Sequence, residues 1–241
     1  MVQRERRKFG ELECRVIGPP DPATVAIFCH GFGAPGDDLV PLADELCYLE
    51  AGLAEHATFV FPVAPESLDT QGIPGGRAWW PLNVAQLQAA MEAGDMSDIR
   101  DACPDELPAV RRKMTSLIEE VRSELNLPVS QVFLGGFSQG AMVVTDVALH
   151  LDSPPAGLVI WSGTLLNESE WAPRASRLQG VPVLQSHGRQ DPILSYQAAE
   201  SLRDVLAAGS VNVEFLPFDG GHTIPFNVLQ VTAQILATSM L

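Results

Sequence analysis

Short apolar runs rich in β-branched and aromatic residues alternate along the chain with longer segments whose apolar positions recur every three or four residues. The short runs predict strands and the longer segments predict amphipathic helices. The predicted strands are 12–17, 25–29, 58–61, 131–134, 158–161, 183–186 and 211–216. The predicted helices are 39–50, 109–125, 141–151, 196–207 and 226–240. This alternation predicts an α/β fold with a mainly parallel central sheet and helices on both faces.

The chain shows no internal repeat or linker, so we expect a single domain over residues 1–241. Its composition, 46% hydrophobic and 19% charged, excludes intrinsic disorder. One stretch, residues 86–105, interrupts the alternation. Its Leu87 and Met91 lie at helical spacing, so we expect either a lid-like insertion over an apolar pocket or a solvated surface helix. Its acidic residues lack the order of a calcium-binding loop, and no metal site is predicted there.

Acidic residues outnumber basic ones by 30 to 15, which gives a formal net charge of −15. Such a field repels polyanions, so a nucleic-acid partner is not expected. The basic cluster at residues 4–8 is interpreted as a solvated, frayed end. No apolar run reaches the roughly 18 residues of a membrane span, and no signal peptide is visible. Cysteines 14, 29, 47 and 103 are widely spaced, which is typical of reduced thiols in the cytoplasm.

The strongest chemical signal is GGFSQG at residues 135–140, which contains the pattern G-x-S-x-G. It follows a predicted strand and precedes a predicted helix, and this is the context that the pattern requires. A serine on so sharp a turn has a strained backbone, and Gly136 and Gly140 lack the Cβ atoms that would crowd it. We therefore predict Ser138 as a nucleophile. The backbone amide of Gln139, at the start of the helix, is predicted to donate to a developing negative charge.

A serine nucleophile needs a base, and the base needs a carboxylate that orients it. In enzymes with this serine motif, the acid and the histidine follow the serine in that order. His222, in a glycine-flanked loop before the last predicted helix, is the predicted base, and Asp191 is the predicted acid. Asp219 is an alternative acid, although a carboxylate on the same turn as the histidine more often serves turn chemistry. His56 and His150 lie in helical patterns, where exposed or structural roles are expected.

A second glycine-rich loop, HGFG at residues 30–33, follows the predicted strand 25–29. Loops at this position in such enzymes aim a backbone N–H at the substrate oxygen. We predict the amide of Phe32 as the second donor of an oxyanion hole, with an ordinary glycine turn as the alternative.

Five segments occur in the order HGFGAPGDDL, GGRAWW, GGFSQGAM, SHGRQDPI and GGHTI. Together they resemble the phospholipase/carboxylesterase family of α/β-hydrolases, which includes acyl-protein thioesterases, lysophospholipases and small bacterial carboxylesterases. The resemblance extends from about residue 25 to the C-terminus. It implies the α/β-hydrolase fold and a triad of Ser138, Asp191 and His222, with the amides of Phe32 and Gln139 as the oxyanion hole.

These residues predict a serine hydrolase that needs no cofactor or metal and cleaves carboxylic esters, or thioesters, through an acyl-enzyme on Ser138. The expected partner is a small-molecule ester or thioester, and the expected location is the cytoplasm. Trp80, Leu87 and Met91 are the predicted pocket residues. A lysophospholipase or acyl-protein thioesterase, which needs a longer acyl channel, is the enzymatic alternative. A non-catalytic binding protein with a hydrolase fold is the alternative from another class.

Overall fold

The computed structural model describes residues 3–82 and 103–238, which contain one large sheet, one short ribbon and the helices around them. The strands are β1 Gln3–Phe9, β2 Leu12–Gly18, β3 Thr24–Cys29, β4 Ala57–Pro62, β5 Glu66–Ser67, β6 Arg77–Ala78, β7 Val132–Phe137, β8 Gly157–Trp161, β9 Val183–Gly188 and β10 Val213–Phe218. The α-helices are α1 Leu42–Leu49, α2 Leu53–His56, α3 Leu107–Glu124, α4 Gln139–His150, α5 Glu168–Trp171, α6 Tyr196–Ala208 and α7 Phe226–Thr238. Short 3₁₀ segments lie at Asp69–Gln71, Val129–Gln131 and Ala172–Leu178.

The large sheet has the strand order β1-β2-β4-β3-β7-β8-β9-β10, and β5 pairs with β6 in the ribbon. Strands β1, β2 and β4 pair antiparallel, whereas β4, β3, β7, β8, β9 and β10 are parallel. Parallel strands end at the same edge of a sheet, so the loops that follow β3, β7, β9 and β10 open on one side. The mainly parallel sheet predicted from the sequence is confirmed.

The buried side chains form two clusters, one on each face of the sheet. Strand β3 shows the division: Val25 and Ile27 belong to one cluster, while Ala26 and Phe28 belong to the other. The reason is that successive side chains of a strand point to opposite faces. Helices α3, α4 and α6 contribute to the first cluster, and α1 and α7 contribute to the second. The prediction of helices on both faces is therefore confirmed.

Helix α3 illustrates how its sequence pattern becomes a packed face. Val110, Met114, Leu117 and Val121 recur at steps of three or four residues, and each is at most 3% exposed. Residues at this spacing share one face of an α-helix. Burying each of these side chains contributes about 1.5–3 kcal/mol before the cost of ordering it. The face is therefore held against the sheet by the hydrophobic effect, while the charged residues of α3 remain at the surface.

The interpretation of residues 4–8 as a frayed end is wrong, because they lie within β1 and pair with β2. Gly10, with φ of 55°, makes the turn between the two strands, and Phe9 is buried at 5% exposure. Arg7 adds an ion pair to Glu124 on α3, with 2.7 Å between Nη2 and Oε2. The strand escaped prediction because it is an edge strand on which charged side chains dominate. Charge at an edge also discourages pairing with other chains.

All seven predicted strands are present, and the five predicted helices correspond to α1, α3, α4, α6 and α7. Most of the insertion predicted at residues 86–105 lies outside the described residues. The last predicted helix is described as far as Thr238. Across 3–82 and 103–238, no helix combines the length and apolar character that a membrane crossing requires.

Candidate active site

Ser138 lies between the last residue of β7 and the first residue of α4, with φ of 55° and ψ of −120°. A positive φ is costly for a residue with a side chain, so the surrounding structure must impose it. Gly136 and Gly140 allow the turn. A Cβ at Gly136 would collide with the carbonyl of Gly140, and a Cβ at Gly140 would collide with the carbonyl of Cys29. The strand–turn–helix that the motif predicted is therefore present, with the serine at its apex.

His222 and Asp191 meet in the loops that follow β10 and β9. Nδ1 of His222 lies 2.6 Å from Oδ2 of Asp191. The other carboxylate oxygen, Oδ1, accepts the backbone N–H groups of Ile193 and Leu194 at 2.8 and 2.9 Å. Burial would raise the pKa of Asp191, but the hydrogen bonds from His222 and Leu194 outweigh it and lower the pKa. An ionised carboxylate here holds a proton on Nδ1 and leaves Nε2 of the imidazole to accept another.

Two contacts bring His222 toward the serine turn. The ring of Phe137, the residue before Ser138, has its centroid 4.7 Å from that of the His222 imidazole. At the end of β9, Gly188 packs so closely on the loop before His222 that a Cβ would collide with the carbonyl of Gly221. The imidazole is therefore held between the end of β7 and the end of β9.

The alternative acid, Asp219, does not face His222. Its side chain is 86% exposed, and its Oδ1 lies 3.9 Å from Nε of Arg189. Asp191 is therefore the carboxylate that the structure brings to the imidazole.

His187 is a neighbour of this pair that sequence reasoning did not assign. It is fully buried, and its Nε2 lies 2.9 Å from the carbonyl of Leu194 and 3.4 Å from Oδ2 of Asp191. Burial lowers the pKa of His187. A neutral imidazole with its proton on Nε2 suits both oxygens, so His187 supports the Asp191 carboxylate from inside the protein. Its place at the end of a predicted strand gave the only sequence signal.

The loop of residues 30–33 lies directly against the serine turn. A Cβ built on Gly31 would lie 3.2 Å from Cβ of Ser138. Gly33 has φ of 80°, and its N–H donates to the carbonyl of Arg77 at 2.9 Å. Phe32 is half-buried between these two glycines. Gln139 occupies the first turn of α4, where the helix offers no acceptor to a backbone N–H. Gln139 therefore directly follows Ser138, and Phe32 lies in the loop that packs against it.

Sequence reasoning considered only the backbone of Gln139 and missed its side chain. Oε1 accepts the backbone N–H of Trp79, and Nε2 donates to the carbonyl of Trp80, both at 2.9 Å. Trp80, a predicted pocket residue, is 2% exposed and packs in the core. The other two predicted pocket residues, Leu87 and Met91, lie outside the described residues.

A second group of titratable side chains lies on the flank of α4, and we call it the ion cluster: Arg111, Asp146, His150 and Glu170. Asp146, His150 and Glu170 hold potential metal-ligand atoms within 4.8 Å of one another. Arg111, however, donates Nε to Asp146 at 2.6 Å and Nη2 to Glu170 at 3.0 Å. The guanidinium therefore supplies the positive charge that a metal ion would bring, and the cluster is a closed ion-pair network.

Fold and site geometry together define a hydrolase of the α/β-hydrolase class. Residues 13–240 match the family model described as Phospholipase/Carboxylesterase, and the chain belongs to that family. Acyl-protein thioesterase 1 of Candida albicans is 26% identical over 199 residues, which are 80% of this chain and 82% of that protein. Its counterpart of the same name in Neurospora crassa is 30% identical over 211 residues, or 83% and 80% of the two chains.

Among solved structures, the esterase PE8 matches with a TM-score of 0.76 over 94% of this chain and 98% of that chain, at 21% identity. At this identity the likeness concerns the fold. The predicted family, the α/β-hydrolase fold and the prediction of a carboxylesterase-type hydrolase are confirmed by these comparisons.

Proposed function

We propose that this protein hydrolyses carboxylic esters and thioesters with Ser138 as nucleophile, His222 as general base and acid, and Asp191 as the group that orients the histidine. One observation carries the assignment. A serine strained to φ of 55° directly follows Phe137, whose ring packs on a histidine with its Nδ1 held 2.6 Å from a buried carboxylate. Strain at a non-glycine residue persists where the structure around it holds it in place, and it is frequent at catalytic serines on such turns.

In the first half of the reaction, Oγ of Ser138 attacks the substrate carbonyl carbon while its proton passes to Nε2 of His222. The electrons of the carbonyl double bond move onto its oxygen, where the amides of Phe32 and Gln139 stabilise the negative charge. Collapse of this intermediate breaks the bond to the alcohol or thiol. That leaving group takes the proton from His222, and the acyl group stays on Ser138.

In the second half, a water molecule repeats the sequence. His222 accepts a proton from the water as its oxygen attacks the acyl carbon, and the same two amides stabilise the second oxyanion. Breakage of the bond to Oγ releases the carboxylic acid, and His222 returns its proton to Ser138. Throughout, Asp191 stays ionised and stabilises the imidazolium, in keeping with its lowered pKa.

The surface near these residues favours an apolar acyl group. Ile193, two positions after Asp191, is 46% exposed, and Phe226, four positions after His222, is 60% exposed. Large apolar side chains exposed near a polar site mark a surface on which apolar ligand groups bind. The formal net charge of −15 disfavours substrates presented on an anionic surface.

Acyl-protein thioesterase is the second candidate, and it is favoured by the name that both relatives bear. A thioester of a long acyl chain on a cysteine-containing peptide is its test substrate, and a lysophospholipid of the same acyl length is the matched competitor. Preference for the peptide would select this candidate over a lysophospholipase. We also infer that the protein works in a reducing compartment such as the cytoplasm, because its four cysteines are free thiols.

The decisive experiment combines labelling with a substrate panel. A fluorophosphonate should label Ser138 of the wild-type protein, and matched esters and thioesters from acetyl to palmitoyl should be hydrolysed. Ser138→Ala should abolish labelling and lower kcat on the order of 10⁶-fold. Ser201→Ala, which removes an exposed hydroxyl on α6, is the control and should change neither. Labelling at another serine, or near-normal turnover in Ser138→Ala, would exclude the assignment.

A further inference from the structure

The two sides of the proposed oxyanion hole are both hydrogen-bonded to a third segment, residues 77–80. On one side, the Gln139 carboxamide pairs with the backbone of this segment through the N–H of Trp79 and the carbonyl of Trp80, each at 2.9 Å. The carboxamide thereby uses its donor and its acceptor in the way a neighbouring strand would. Gln139 is only 2% exposed, so these bonds do not compete with water.

On the other side, the same segment holds the loop that carries Phe32. Nε1 of the Trp79 indole donates to the carbonyl of His30 at 2.9 Å. Around Phe32, the N–H of Gly33 donates to the carbonyl of Arg77 at 2.9 Å, and the N–H of Arg77 donates to the carbonyl of Ala34 at 3.1 Å. Residues 30–34 are therefore attached on both sides of Phe32 to one rigid support.

We propose that the Gln139 carboxamide and the Trp79 indole N–H are positioning groups that set the distance between the two amides of the oxyanion hole. The proposal rests on the function proposed above. Gln139 contributes in two ways. Its backbone N–H faces the developing charge, and its side chain is hydrogen-bonded to residues 79 and 80, in the segment that holds the loop of Phe32. Neither side chain touches the substrate, so both act through the backbone groups that they hold.

The expected effect follows from how sharply an oxyanion hole depends on geometry. Its donors must lie about 2.7–3.1 Å from the oxygen that becomes charged, and losing one donor entirely costs about 10²–10³-fold in kcat. Displacing one donor without removing it should cost less, about 10–100-fold. Because the ground-state carbonyl carries less charge than the oxyanion, the loss should fall on kcat, whereas KM stays within about threefold.

The test uses Gln139→Met, which keeps the length of the side chain but cannot pair with the backbone, and Trp79→Phe, which removes the indole N–H. Each full-length variant is assayed on one p-nitrophenyl ester for kcat and KM. Each is then titrated with a trifluoromethyl ketone, whose adduct with a serine carries an oxyanion. We expect kcat to fall about 10–100-fold in Gln139→Met and about 10-fold in Trp79→Phe. The ketone inhibition constant should rise by the same factors.

Gln185→Met is the matched control. Gln185, on β9, is another fully buried glutamine, and its side chain donates to the backbone carbonyl of Ala199 on α6 at 2.8 Å. It should leave kcat and the ketone inhibition constant within about twofold. An unchanged ketone constant in both test variants, or an equal loss in Gln185→Met, would overturn the proposal. If Gln139→Met does not fold, Trp79→Phe decides alone. A wild-type protein that hydrolyses no ester would instead refute the proposed function itself.

Discussion

Among the described residues, two histidines are hydrogen-bonded to a carboxylate side chain, and only one of the two lies beside the turn that carries the strained Ser138. His222 pairs with Asp191 at 2.6 Å where β9 and β10 end, and His150 pairs with Glu170 at 3.1 Å on the flank of α4. Distance alone does not separate them, because both are hydrogen-bonded and both histidines are half-buried. The groups around each carboxylate separate them.

The carboxylate of Asp191 accepts hydrogen bonds from two backbone N–H groups and lies beside the imidazoles of His222 and His187. Among the described residues, no Arg or Lys pairs with it. Glu170 shares Arg111 with Asp146. In the ion cluster, a permanent cation already balances one of the two carboxylate charges, and the Glu170 carboxylate is committed to it. In the proposed reaction, proton transfer puts a positive charge on the His222 imidazole, and the Asp191 carboxylate stabilises that charge. The lack of a competing Arg or Lys among the described residues favours the first pair for the proposed general-base role.

The sharpest test of this contrast exchanges each histidine for glutamine. His222→Gln should lower kcat on the order of 10⁶-fold, since no base remains to accept the proton of Ser138. His150→Gln, in the ion cluster, should leave kcat within about twofold. Steady-state kinetics on one ester measures both, and circular dichroism verifies that both variants fold. Comparable losses in the two variants would erase the distinction drawn here.

The carboxylates should separate activity from stability. Asp191→Asn should lower kcat about 10⁴-fold, because an amide does not hold the imidazole in the required tautomer. Asp146→Asn should instead destabilise the fold by about 3–5 kcal/mol. It weakens a fully buried partner of Arg111 that also accepts from Nε1 of Trp171 at 2.9 Å. Urea unfolding and kcat per folded molecule separate the two effects, and a loss of kcat in Asp146→Asn would count against the comparison.

The sequence predicts the parallel sheet and the positions of Ser138, Asp191 and His222 because these features are local. Apolar runs report buried strands, and glycines report turns that a Cβ would obstruct, as at Gly136 and Gly140. The loops that carry chemistry follow predicted strands, and the ends of parallel strands meet at one edge. Their meeting follows from topology once the strand order is known.

Features with a mostly charged sequence, or with partners far along the chain, were not predictable. Strand β1 exists because β2 pairs with it and Phe9 finds the core, although its sequence is mostly charged. The hydrogen bond from the Trp79 backbone to the Gln139 side chain joins residues 60 positions apart, and no spacing rule connects them. The same holds for Arg111 and Asp146, which lie on two helices 35 positions apart. Such contacts can be identified only in the folded structure, because they depend on which elements pack against each other.

The smallest expected effect is the loss, at low pH, of the stability that the ion cluster contributes to the fold. Burial would raise the pKa of Glu170, but Arg111 and His150 outweigh it and lower the pKa to about 2 from an ordinary 4.5. A carboxyl whose pKa is lower in the folded state stabilises the fold fully above about 4.5, and this contribution disappears as the pH falls to about 2. Since solvent reaches 29% of the side chain, we expect a contribution on the order of 1–3 kcal/mol.

Glu170→Gln should therefore be less stable than wild type at pH 7, and the difference in the free energy of unfolding should narrow below pH 4.5. Urea unfolding between pH 7 and pH 2.5 measures the gap, and Glu55→Gln, at an exposed glutamate on α2, is the control. A gap that stays constant with pH would mean that Glu170 acts through packing and not through its charge.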